Sequence, residues 1–189
     1  MLFMIFRNRT RRPCVIVMAH YPGRADASTP FSKGVGAIRA IELARCLILD
    51  TIAAVSRARA PVFVAYHPPE RKTEIAAWLG KRLRLIPQDG GDPGERKYTV
   101  LLRAFALGFT DALLVEGDVP DLPAGIVIEC LDALGSGDAV VGPATGGGYY
   151  CIGFRREGPV FDALTDIPWG TDAVLAYTLE RINKSGCAV

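Results

Sequence analysis

Apolar residues fall along this chain in two alternating rhythms. Short runs of β-branched and aliphatic residues alternate with longer stretches in which apolar positions recur every three or four residues. The first kind reads as buried strand and the second as amphipathic helix. CVIVMA (14–19), VFVAY (62–66), RLRLI (82–86), ALLVE (112–116), AVVG (139–142) and YYCIGF (149–154) are the predicted strands. A long helix is predicted over 36–58, with Ile41, Ile48, Ile52 and Val55 on one face and Leu43 and Leu47 beside it. So wide an apolar arc predicts deep burial. Shorter helices follow from Ile75, Trp78 and Leu79, from Tyr98, Leu101, Leu102 and Phe105, and from Val127, Leu131 and Leu134. A last helix, from about residue 171, uses Leu175, Leu179 and Ile182.

Strands that alternate with helices predict an α/β fold: a three-layer α/β/α sandwich around a mostly parallel sheet. In such sheets ligands sit outside the carboxyl ends of the strands. The loops at 20–35, 87–94, 117–122 and 143–148 are therefore where chemistry is expected.

Composition narrows the class. Half of the 189 residues are hydrophobic and 22% are charged, which suits one globular domain. We expect an N-terminal tail over 1–12 and a single domain over 13–189. Lys plus Arg is 22 and Asp plus Glu is 20, for a net charge of +2. That balance makes no electrostatic case for nucleic acid. The basic cluster Arg7, Arg9, Arg11 and Arg12 reads as a solvated tail. No apolar run reaches the ~20 residues of a spanning helix, and MLFMIF precedes its arginines, the reverse of a secretory signal. A cytoplasmic protein is expected. Five cysteines, an odd number with no C-x-x-C pair, fit a reducing compartment. Cys14, Cys46, Cys130 and Cys151 lie among apolar neighbours.

Four segments could carry chemistry. GDVPDL (117–122) follows an apolar strand, so Asp118 ends that strand facing the ligand crevice. A carboxylate there suits Mg²⁺ or Mn²⁺, which prefer oxygen ligands and bridge to phosphates; a turn residue is the alternative. Asp121 reads as a cap for the next helix. GPATGGGYYCIG (142–153) is either a tight hairpin or a backbone cradle for phosphate. QDGGDPGERK (88–97) opens a helix, where Gly94 and the cations Arg96 and Lys97 could meet an anion, or an acidic helix start explains it alone. In IPWGTDAVL (167–175), Asp172 either starts the last helix or joins Asp118 on a metal. His20, after the first strand, is a weak acid–base candidate. No Walker A, G-x-S-x-G or helix-opening G-x-G-x-x-G is present.

In this order, GDPGER, GDVPDL, GPATGGGYYCIG and IPWGTD resemble a bacterial and archaeal family of GT-A-like proteins, termed glycosyltransferase-like or radical-SAM/selenodomain-associated transferase 1. The resemblance runs from about residue 14 to 183. It implies a nucleotide-diphospho-sugar transferase (GT-A-like) fold binding a nucleotide or nucleotide sugar beside Mg²⁺ or Mn²⁺. It implies Asp118 and Asp172 as catalytic and metal carboxylates, and Gly146, Gly147, Gly148 and Tyr149 in the substrate-side loop. Two departures stand out. The family's Gly-rich turn with Lys-Thr-Arg is replaced by AHYPGRADASTPFSK, which leaves Arg24 and Lys33 as candidate phosphate cations. The family's Glu-Asp before Gly-Gly-Tyr is replaced by Thr145 and Gly146. The resemblance thus implies a metal-dependent glycosyl- or nucleotidyltransferase acting on an unidentified small-molecule acceptor. The alternative is a catalytically degenerate ligand-binding or partner protein, and guanylyl transfer is a third idea from fold analogy.

Overall fold

The computed structural model describes residues 10–23 and 32–189, with side chains in the second stretch from Gly34 onward. The strands are β1 (Pro13–His20), β2 (Val62–His67), β3 (Arg84–Pro87), β4 (Asp111–Glu116), β5 (Ala139–Pro143) and β6 (Tyr149–Arg155). The helices are α1 (Ser32–Val35), α2 (Ala37–Val55), α3 (Lys72–Leu79), α4 (Pro93–Ala106), α5 (Ala124–Ala133), α6 (Val160–Leu164) and α7 (Val174–Lys184). The sheet order is β3-β2-β1-β4-β6-β5. Pairing is parallel from β3 across to β4, and β6 runs antiparallel to both of its neighbours.

Side chains alternate across a strand, and this builds the three layers. From β1, Cys14, Ile16 and Met18 point to one face, where they meet Leu101 and Phe105 of α4, Ala163 of α6 and Ile182 of α7. Val15, Val17 and Ala19 point to the other, against Ile48 and Ile52 of α2 and Val127 and Leu131 of α5. The expected three-layer α/β/α architecture with a mostly parallel sheet is what the chain forms.

The differences have simple causes. The long helix is less buried than its apolar arc suggests: Ile38, Leu43 and Leu49 are exposed, because α2 covers only one face of the sheet. Leu102 is likewise exposed on α4. Cys46 is exposed, while Cys14, Cys130 and Cys151 are buried. The sulfurs of Cys130 and Cys151 meet at 3.8 Å between α5 and β6. Arg11 and Arg12 of the expected tail pack onto the domain. Arg11 Nε pairs with buried Asp111 at 2.8 Å and its Nη2 donates to Leu131 O. Arg12 lies over the Phe109 ring. Among the described residues no helix is long and apolar enough to cross a membrane.

Candidate functional site

The carboxyl ends of β1, β2, β3 and β4 point the same way, and the four motif segments collect at that end. Their meeting point is Lys97. This residue lies on the buried stripe of α4 with Gly94, Leu101 and Ala104. Its ammonium is 2.9 Å from the Glu116 carboxylate at the end of β4, and it sits 5.1 Å from the centre of the Trp169 ring and 5.9 Å from that of Tyr149. Trp169 meets Tyr149 edge-on at 6.4 Å. One side chain from GDPGERK therefore touches the strand before GDVPDL, the tyrosine of GGGYY and the tryptophan of IPWGTD. A buried ammonium needs a partner, and Glu116 with two ring faces supplies it.

Backbone packing locks the same segments together. A β-carbon on Gly94 would overlap Leu164 O and stand 3.0 Å from Trp169 Nε1. Gly147 has φ +77, and a β-carbon there would lie 2.6 Å from the Asp172 carbonyl carbon. Leu175 N donates to Gly147 O at 2.8 Å. The glycine loop and the Asp172 segment thus form one wall. The phenol of Tyr149 is buried within it, and its Oη has no hydrogen-bond partner. Burial, then the charge of Glu116, pushes the Tyr149 pKa up, so the phenol stays protonated.

The loop carrying Asp118 is held from α2. The hydroxyl of Thr51, a buried residue, donates to Gly117 O at 3.2 Å and lies 3.4 Å from Val119 O. Gly117 is wedged against Met18 O of β1 and Ile48 of α2, which leaves no room for a side chain. Asp118 itself is exposed, as is Asp172. Asp121 does not cap α5. It takes a left-handed turn conformation with φ 53, and Pro123 precedes the helix.

The start of α4 is occupied by its own carboxylates. Asp92 accepts from Glu95 N at 2.9 Å, and Glu95 accepts from Gly91 N at 2.7 Å. That closes the helix end as an anion site in the described conformation. Arg96 is half-buried beside it, its Nη1 3.5 Å from Gly91 O. Asp89 is tied to Arg103. Arg24 lies outside the described residues, and so does the side chain of Lys33.

The two histidines form a group that single-residue reading of His20 did not expose. Parallel register places His20 opposite His67 at the ends of β1 and β2, with ring centres 5.3 Å apart. Gln88, buried below them, donates to Ala65 O at 2.6 Å and Ala19 O at 3.3 Å. Desolvation, then the charges of Arg96 and His20, lowers the His67 pKa. A folded-state pKa below the unfolded value means that the unfolded chain binds the proton more readily. The stability linked to neutral His67 is therefore present above about pH 6.5 and lost as pH falls below it. Between pH ~7.5 and ~5.5 the melting temperature should fall less in His67→Gln than in the unaltered protein. Equal slopes would show that the imidazole is not held neutral.

Sequence reading missed Glu116 and Trp169 and gave Lys97 only as a cation that could meet an anion at the helix start. The signal was present: a lysine on the apolar stripe of a helix requires a counter-charge. Among the described residues no three His, Cys, Asp or Glu side chains form a ready metal cage. Mg²⁺ commonly uses one or two carboxylates and completes its shell with water and substrate phosphate. Asp118 and Asp172 are both exposed carboxylates, the donor type such an ion takes.

The sequence profile of a family described as uncharacterized proteins conserved in bacteria (DUF2064) matches residues 49–171. A protein from Desulfovibrio desulfuricans G20, provisionally described as a nucleotide-diphospho-sugar transferase, superposes with a TM-score of 0.88 at 31% identity, covering 95% of this chain and 79% of that one. CMP:2-keto-3-deoxy-manno-octonic acid synthetase, solved with CTP, superposes with a TM-score of 0.55 at 15% identity over 93% of this chain and 87% of its own. Rv0371c of Mycobacterium tuberculosis H37Rv gives 0.53 at 14% identity over 84% and 77%. The last two likenesses concern the fold alone. No curated protein is significantly similar in sequence. The expected nucleotide-diphospho-sugar transferase fold is the one observed.

Proposed function

Since the chain belongs to the DUF2064 family of bacterial proteins, on a nucleotide-diphospho-sugar transferase fold, we propose that it is a metal-assisted transferase. Its donor is a nucleotide or nucleotide sugar and its acceptor a small molecule. One observation carries this reading: the four motif segments converge on the Lys97–Glu116 pair at the carboxyl ends of the strands, where such sheets bind ligands.

Each residue then has work matched to its surroundings. Asp118, with Asp172, would hold Mg²⁺ or Mn²⁺; the ion, when bound, offsets phosphate charge. Glu116 remains partly exposed while Lys97 holds it in place. It is suited to accept the proton of an acceptor hydroxyl. The protonated Tyr149 phenol offers a donor in the same wall. Thr51 and Gly117 fix the Asp118 loop, so less ordering remains for ligand binding to impose. Positioning and charge stabilisation supply most of the rate gain in such a site.

The test is ligand-induced stabilisation against nucleoside triphosphates and nucleotide sugars, with and without Mg²⁺ or Mn²⁺. A ligand bound only by the native state raises the melting temperature by mass action. We expect a metal-dependent shift that Asp118→Asn abolishes. An unchanged metal-dependent shift in that variant would remove Asp118 from the site. No shift with any nucleotide would favour a non-catalytic ligand-binding or partner role on the same fold.

A further inference from the structure

We propose that the end of the domain opposite the candidate site, where β1, β2 and β3 begin, is a docking surface for an anionic membrane. This goes beyond the transferase reading and does not depend on it.

Parallel pairing carries the geometry. β1, β2 and β3 run side by side in register, so the segments that lead into them meet at one end of the sheet. With the turn before β4, those segments are 10–13, 56–62, 80–84 and 106–110. They hold seven cations and no carboxylate, and all seven cations are exposed. Arg11 and Arg12 precede β1, Arg57 and Arg59 precede β2, and Lys81 and Arg82 precede β3, which opens on Arg84. Aromatic rings join the outer two groups. The Arg84 guanidinium lies over Phe63, Phe63 meets Phe109 edge-on at 5.4 Å, and Arg12 lies over Phe109. Arg11 is paired with buried Asp111. Among the described residues none of the other six has a carboxylate within ion-pair distance. Exposed Asp132, on α5, and Glu157, after β6, mark the acidic side of this end. The whole chain carries only +2, so the positive charge here is segregated and does not reflect general basicity.

Two features select a lipid surface over nucleic acid. Phe63 and Phe109 are 3% and 5% exposed, so this face offers no ring on which a base could stack. Apolar residues accompany the charge instead. Leu107 is 57% exposed in the turn before β4. Positions 1–6, which lie outside the described residues, read MLFMIF, with Arg7 and Arg9 between them and the face. Four residues of chain span at most about 14 Å, so covalent connection alone tethers that segment to the cations. An apolar stretch beside a cluster of arginines is what an interfacial anchor combines: burial among acyl chains and attraction to anionic headgroups. Docked this way, the carboxyl ends of the parallel strands face away from the bilayer, and the candidate site stays open to solvent.

The test is co-sedimentation of the full-length protein with vesicles of phosphatidylcholine, alone or mixed with phosphatidylglycerol. We expect binding to the mixed vesicles only, weakening as salt rises from ~0.05 to ~0.5 M. Each cation near an anionic surface strengthens binding about fivefold, so Arg57→Gln/Arg59→Gln/Arg82→Gln should weaken it by on the order of tenfold or more. All three side chains are exposed, and the melting temperature should not change. Arg39→Gln/Lys72→Gln/Lys184→Gln removes the same charge elsewhere on the surface and should alter binding by less than about twofold. Leu2→Ser/Phe3→Ser/Ile5→Ser should remove the binding that survives high salt. Equal weakening by the two charge variants would show a response to net charge alone and overturn the proposal. Binding that the apolar variant abolishes and the Arg57, Arg59 and Arg82 variant leaves intact would take this face out of the contact and overturn it as well. So would a protein that ignores both kinds of vesicle, or one that ignores them and binds a single-stranded or duplex oligonucleotide through the same arginines.

Discussion

Gly147→Ala should destabilise the protein by about 2–4 kcal/mol, while Gly146→Ala and Gly148→Ala should stay within about 0.5 kcal/mol. The three glycines are consecutive, yet their surroundings differ. Around Gly146 and Gly148 a β-carbon would meet nothing within 4 Å. At Gly147 it would overlap the Asp172 peptide, and φ +77 is a region that alanine occupies only at a cost. The overlap cannot be relieved by a side-chain rotation, because the opposing atoms are backbone. The loop or the 172–175 segment must move, and the Leu175 N to Gly147 O hydrogen bond weakens with it. Urea unfolding of the three variants checks this ordering. Equal losses at all three positions would mean that the loop, not the Asp172 contact, sets the requirement. The two tolerant positions are also informative probes of function, since a loss of ligand binding there with stability intact comes from the ligand side.

Glu116→Ala should cost about 2–3 kcal/mol, and the double variant Lys97→Met/Glu116→Gln should recover most of it. Lys97 is 7% exposed, so removal of its carboxylate leaves a buried ammonium facing only two aromatic rings. The rings return part of the loss, about 1 kcal/mol for a cation over a face. Glu116 is 30% exposed on its side chain, and this keeps the expected cost below that of a fully buried pair. In the double variant no charge remains to be desolvated, and methionine fills the aliphatic path of the lysine. Denaturant midpoints for Lys97→Met, Glu116→Gln and their double variant form the cycle that isolates the pair, with Glu116→Ala measured beside them. If Glu116→Ala leaves the midpoint unchanged, Lys97 is solvated through the crevice and the pair is not structural.

Much of the fold was legible because burial on both faces writes itself as uninterrupted apolar runs. β1, β2 and β4 show this in CVIVMA, VFVAY and ALLVE. RLRLI was read two residues early, since Arg82 and Leu83 lie in the turn before β3. α6 was missed because five residues are too few to display a helical period. Leu43 and Leu102 misled because an apolar residue on a helix is not thereby buried, and covering one face needs only a stripe. At the site, strand ends could be placed from pattern alone, so Asp118 was placed just after β4, where it is exposed. Glu116 was hidden by being counted as the polar end of a strand. The His20–His67 pairing depends on parallel register, which no local pattern encodes.

The position of β1 between β2 and β4 also shapes how this chain can be made. Synthesis proceeds from the amino end, so β1 emerges early, and β2 can cover one of its edges soon afterwards. Its other edge belongs to β4, and the Arg11–Asp111 pair beside that seam joins residues 100 apart. Until those residues arrive, CVIVMA presents an uncharged strand edge with nothing hydrogen-bonded to it. Such an edge is the kind of surface through which nascent chains associate with one another. A fold whose central strand precedes both of its partners in sequence leaves that strand's apolar edge open until the later partner arrives.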